Sequence, residues 1–131
     1  MTAGRKLNWL KRVLAVKVVL TLFVWGFPTL LAPMSLFRLL GVPTPDDTTF
    51  VRLAGGAIVA IGVAYWYAYR EPVRNVAILK MGVVDNGLAT LVIIVLTALN
   101  GLSSVFMWVT ALLTFIFFIA FILLMPRAEA V

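Results

Sequence analysis

Lys80-Met81-Gly82-Val83-Val84-Asp85-Asn86-Gly87-Leu88-Ala89 lies in the third of four long apolar stretches of this chain. It sets a carboxylate and an amide inside a run that is otherwise rich in Val, Ile, Leu, Ala and Gly. Asp85 comes 13 residues after Pro72 and 15 before Asn100. At about 1.5 Å of rise per residue, it falls roughly 20 Å from either end of a helix over this stretch. That is close to the midplane of a bilayer. Exposing a carboxylate to lipid there costs on the order of 3 kcal/mol, so Asp85 is expected to face other helices or a polar cavity.

The composition agrees with a membrane setting. Of 131 residues, 63% are hydrophobic and 12% charged, and the mean hydropathy is +1.10. A soluble domain carries about 25% charged residues, so this chain has too little polar surface to cover a globule in water. A span takes about 20 residues, so this length fits about four spans in one membrane domain. Cysteine and histidine are both absent. That excludes disulfides, thiolate chemistry and imidazole-bound metals, haem or chlorophyll. The five acids are scattered, so no metal site is assigned. No nucleophile elbow or phosphate loop is present, and no catalytic residue is assigned. The net charge is +6 and the pI near 10.4. Most of the bases flank apolar spans, where they set topology and meet anionic lipid rather than nucleic acid.

Outward from the third stretch, the expected spans are about 13–31, 48–70, 73–99 and 104–125. Arg5-Lys6-Leu7-Asn8-Trp9-Leu10-Lys11-Arg12 reads as an amphipathic lead-in on the membrane surface. Phe27-Pro28 should kink the first span, because proline has no N–H to donate. Met34 to Leu40 is too short to cross and stops at Gly41, as a brief interfacial helix would. Thr44-Pro45-Asp46-Asp47 reads as a helix start, with Thr44 as cap and Pro45 in the first turn. Asn100-Gly101-Leu102-Ser103 is a short turn, with glycine ending one helix and serine capping the next. Arg5, Lys6, Lys11, Arg12, Arg70, Arg74 and Arg127 fall on one side of this arrangement, and Arg38 and Arg52 on the other. The positive-inside rule then puts both termini in the cytoplasm.

Asp85 and Asn86 form the candidate intramembrane polar site. On a helical wheel Asp85 shares an arc with Met81, Gly82 and Ala89, and Asn86 borders it with Thr90. Lys80 is about 140° away. Lys17, on the parallel first helix, is the better partner if it reaches inward. Its other course, and that of Lys80, is to snorkel to the headgroups. Without such a partner Asp85 would be neutral and donate to nearby acceptors. Arg52 is a candidate for an anion or lipid headgroup, against a salt bridge to Asp46 or Asp47. Gly56, Ala60, Ala64 and Ala68 repeat at i, i+4 and let a helix of this chain or another approach closely. Tyr65, Trp66, Tyr67 and Tyr69 read as an aromatic belt, with a quinone site as the other reading.

Arg52-Leu53-Ala54-Gly55-Gly56-Ala57-Ile58-Val59-Ala60-Ile61-Gly62, Tyr69-Arg70-Glu71-Pro72 and Lys80-Met81-Gly82 resemble the DoxX-like group of small bacterial membrane proteins. Leu36-Phe37-Arg38-Leu39-Leu40-Gly41-Val42-Pro43 fits the same pattern, so the resemblance covers about residues 34–100. It implies a four-helix bundle in the bacterial inner membrane, associated in some members with quinone-linked oxidoreductases. The fold class expected is thus all-α: an integral membrane four-helix bundle with a short interfacial helix after the first span. Two functions compete. One is a non-enzymatic accessory subunit, packed against other membrane subunits or a second copy, with no cofactor of its own. The other is a quinone-, small-molecule- or ion-handling protein that uses Asp85-Asn86.

Overall fold

Helix α1 (Ala3–Leu31) opens the chain in the computed structural model, which describes residues 1–101 and 104–127. A short helix, α2 (Met34–Leu39), follows it. Then come α3 (Thr49–Arg70), α4 (Val76–Asn100) and α5 (Val105–Leu124). The described residues contain no strand. Helices α1, α3, α4 and α5 are long and apolar enough to cross a membrane, as a multi-pass four-helix bundle requires.

The basic lead-in is not a separate surface segment. Thr2 caps α1 by accepting from the Arg5 N–H at 3.3 Å, and the helix runs on without a break. Neither Gly nor Pro interrupts residues 5 to 25, so nothing stops the hydrogen-bond ladder. The irregularity expected at Phe27-Pro28 lies just before it. Leu20–Gly26 is π-helical, and the Phe27 N–H bonds to the Leu22 carbonyl, five residues back. Pro28 has no N–H and crowds the preceding turn, and the wider turn absorbs that defect.

Helix α2 ends as expected at Gly41, whose φ of 71° is left-handed. The Leu40 carbonyl accepts from the Ser104 hydroxyl at 2.6 Å, which ties this loop to the start of α5. The start of α3 differs from expectation. Thr48 is its N-cap position, and Asp47 just before it accepts from the Thr49 N–H with Oδ1 at 2.9 Å, while Thr44 and Pro45 stay outside the helix. That backbone hydrogen bond holds the Asp47 carboxyl below its ordinary pKa. Asn75 closes the end of α3 by donating to the Tyr67 and Glu71 carbonyls at 3.2 and 3.0 Å, so α4 starts at Val76 rather than 73. Gly101 (φ 62°) ends α4. Leu102 and Ser103 lie outside the described residues; Ser104 caps α5 by accepting from the Met107 N–H at 3.3 Å.

Helix α1 packs along α3, and α5 along α4. The core is Leu10, Leu14 and Val18 of α1, Tyr65 and Ala68 of α3, Leu79 of α4, and Phe117 and Phe121 of α5. A groove of about 550 Å³ brings the first turns of α1, Val73 and residues Leu124 to Arg127 together. The chain ends and the α3–α4 connection therefore share one end of the bundle, and α2 lies at the other.

The small-residue ladder is not the seam between α1 and α3. A methyl group on Gly55 would strike the backbone of Thr29 and Leu30, and one on Gly62 would strike Leu22. One on Gly56 would find only Leu30 Cδ1 at 4.0 Å. Ala60 is exposed, Ala64 half-buried, and only Ala68 of the ladder is buried. Steps of four drift about 40° around a helix, whereas the seven residues from Gly55 to Gly62 drift about 20° the other way and stay on the seam. Gly55→Ala is expected to destabilise the bundle by about 1–3 kcal/mol in a detergent unfolding titration. Gly56→Ala should be neutral or stabilising by up to about 1 kcal/mol.

Candidate functional site

Lys17 does not snorkel. It is 3% exposed, and its Nζ donates to Asn86 Oδ1 at 2.7 Å. Around the ammonium stand three rings, with centroids at 5.0 Å for Trp25, 5.2 Å for Tyr65 and 4.8 Å for Phe117. Their faces attract a cation that water no longer solvates. On an α-helix, the eight residues from Lys17 to Trp25 would leave the two about 80° apart. The π-helical turn rotates less per residue and so carries the Trp25 ring back over Lys17.

Asn86 is the hub. Its side chain is 1% exposed, and its Nδ2 donates to the Gly82 carbonyl at 2.7 Å and the Tyr65 hydroxyl at 3.2 Å. An ammonium only donates and a carbonyl only accepts, so these partners fix which way the amide points. Tyr65 in turn donates to Asp85 Oδ2 at 3.0 Å. The result is a directed chain, Lys17 to Asn86 to Tyr65 to Asp85. The expected Lys17–Asp85 pair is therefore indirect. No ion pair joins the two within 4.0 Å; an amide and a phenol relay the charges instead. Neither charge is left alone in a low-dielectric interior.

The wheel reading of α4 is corrected in one respect. Leu79, Gly82, Asn86, Thr90 and Ile93 form its buried stripe, so Asn86 points inward and Asp85 sits half-buried beside it. One turn before Asn86 the stripe carries Gly82, where a Cβ would come within 2.9 Å of both the Tyr65 hydroxyl and Phe121 Cε2. The lack of a side chain there lets α3 and α5 close on Asn86. Below it Thr90 donates to the Asn86 carbonyl at 2.9 Å and meets the Thr114 hydroxyl at 2.8 Å. Trp25 Nε1 donates to Thr110 Oγ1 at 3.2 Å.

Tyr65, Trp25, Thr110 and Thr114 were not expected in the site, whereas Thr90 was placed beside Asn86 on the wheel. Tyr65 read as part of a belt, yet it is fully buried. The i, i+4 run of Gly82, Asn86 and Thr90 was the one legible signal. Lys80 is exposed and lies outside the chain of bonds. Arg52 makes no bridge to Asp46 or Asp47; its Nη1 donates to the Thr29 carbonyl at 3.2 Å. That carbonyl lacks its helical donor because residue 33 is proline.

A cavity of about 360 Å³ reaches this chain of bonds from the α2 end. Met34, Phe37 and Pro43 flank its outer part, and Trp25, Phe106 and Met107 its walls. Lys17, Asp85, Asn86 and Thr110 line it where it meets the polar chain. Asp85 is the one acid among the described residues to line it, and Tyr65 engages only its Oδ2. Comparison with known proteins finds no matching protein family, no matching curated protein and no matching solved structure.

The relay predicts coupled energetics. Lys17→Met and Asp85→Asn should each destabilise the bundle by about 3 kcal/mol, since each strands the opposite charge. The double variant should lose less than the sum by at least about 1 kcal/mol. Additive losses in detergent unfolding would show that the two charges do not sense each other.

Proposed function

We propose that this chain is a membrane protein that handles a small molecule, admitting it from the α2 end and holding it against the Lys17–Asn86–Tyr65–Asp85 chain. One observation carries this reading: the charged residues line a cavity. A polar cluster that served only to fix helix packing would be sealed by side chains, because open space beside it forfeits packing energy. Intramembrane charges beside a cavity mark ligand or ion paths. Lys17 and Asp85 would contact the ligand, and Asn86 and Tyr65 would hold them in place. The resemblance to DoxX-like proteins favours a redox-linked setting, with a quinone as one ligand class. We place the protein in the bacterial inner membrane with its basic end cytoplasmic, by the positive-inside rule. The cavity then opens outward.

A second reading, an accessory subunit without its own ligand, draws on the outward face of α3. There Ala60 and Leu53 are exposed, and a methyl group on the half-buried Gly56 would meet only Leu30 Cδ1, which suits a helix of another subunit. Gly56→Leu would then release the protein from the complex in a mild-detergent pull-down, and retained association would overturn that reading.

The absence of cysteine makes the cavity easy to probe. In intact cells, a membrane-impermeant maleimide should label Pro43→Cys and Ala89→Cys, and should label Arg74→Cys only after permeabilisation. Labelling of Arg74→Cys alone would reverse the orientation. Ala89→Trp, which fills the cavity, should abolish ligand binding with membrane insertion unchanged. Full binding in that variant would remove the cavity from the function.

A further inference from the structure

We infer that the cavity selects an uncharged ligand with a hydroxyl group on a compact apolar body, the hydroxyl donating to Asp85 and an oxygen of the ligand accepting from Lys17. The inference rests on the proposed function and names the ligand chemistry of that same site. Three observations lead to it.

The first is charge. The polar chain holds one ammonium and one carboxylate, joined through Asn86 and Tyr65, so it is neutral as a whole. A charged ligand would bring an uncompensated charge to mid-membrane depth. An anion would also meet Asp85, and a cation would meet Lys17.

The second is the direction of the hydrogen bonds. The chain begins at a group that only donates and ends at one that only accepts. Lys17 has two N–H groups beyond the one given to Asn86, and Asp85 has Oδ1 beyond the oxygen given to Tyr65. Both residues line the same cavity. A ligand that satisfies both ends must bring an acceptor and a donor. A hydroxyl compound has both. A ketone or ether has only the acceptor and leaves the carboxylate without a partner in a dry site, which is the costly outcome.

The third is the walls. Apart from Thr29, Thr110 and Thr114, the lining above the polar chain is apolar, with Phe37, Ile58 and Phe106 among it. Such walls suit a ring or a short branched hydrocarbon, and the volume of about 360 Å³ suits a small one.

The test uses the full chain in lipid nanodiscs, with empty nanodiscs as reference, and calorimetric titration of three probes sharing one ring system. These are 2-naphthol, 2-methoxynaphthalene and 2-naphthoate. Naphthol should bind about tenfold more tightly than the methoxy compound, which keeps the acceptor and lacks the donor, and more tightly than the anion. Equal binding of naphthol and its methyl ether overturns the inference and leaves the proposed function standing. Binding of none of the three overturns both. Asp85→Asn gives the chain of bonds a net positive charge, so its preference should pass to naphthoate. A folded Asp85→Asn protein that still prefers naphthol also overturns the inference. The wild-type series decides the matter on its own if that variant does not fold.

Discussion

A single amide, the side chain of Asn86, keeps two opposite charges compatible with an apolar bundle. Lys17 and Asp85 come from helices that do not otherwise pair closely, and a charge left alone at that depth is costly. Asn86 accepts from one side and donates to the other, and Tyr65 completes the connection. Because the chain starts at an ammonium that only donates and ends at a carboxylate that only accepts, the network runs in one direction. Individual polar contacts between membrane helices are weak, averaging about 0.6 kcal/mol. The network's strength is therefore in its geometry: it fixes how α1, α3 and α4 are rotated against one another, and the threonines extend that constraint to α5.

Two prolines, Pro28 in α1 and Pro33 just beyond its end, impose a second constraint. Pro28 removes a donor and is preceded by the π-helical turn that swings Trp25 over Lys17. Pro33 leaves the Thr29 carbonyl without a helical partner, and Arg52 supplies one from α3. The backbone of α1 is thus irregular where the cavity forms, and the irregularity is satisfied by neighbouring helices, as membrane interiors require. Gly55 presses against the same turn, so α3 closes on the end of α1 while the space beside it stays open.

These two constraints place a neutral but strongly polar surface at the inner end of an otherwise apolar cavity. The polar groups at that end are held in place by their surroundings. Trp25 and Phe117 surround the ammonium, and Gly82 makes room for the Tyr65 hydroxyl. Such packing holds polar groups in fixed directions.

The sequence by itself determined the class of the molecule. Four apolar runs of spanning length, the shortage of charge and the bases at helix ends follow from one-dimensional patterns, since a helical span makes nearly all its backbone hydrogen bonds within itself. It also marked Asp85, Asn86 and Lys17, because a polar residue within such a run stands out. The Gly41 and Gly101 helix ends were legible for the same local reason. What only the tertiary structure decided was how the helices are rotated and who meets whom. Asn86 rather than Asp85 faces inward, Tyr65 leaves the aromatic belt for the core, and Gly55 and Gly62 replace the Gly56 ladder on the seam. Each depends on small angular offsets between packed helices. The π-helical turn adds its own offset, one that a regular helical wheel does not contain.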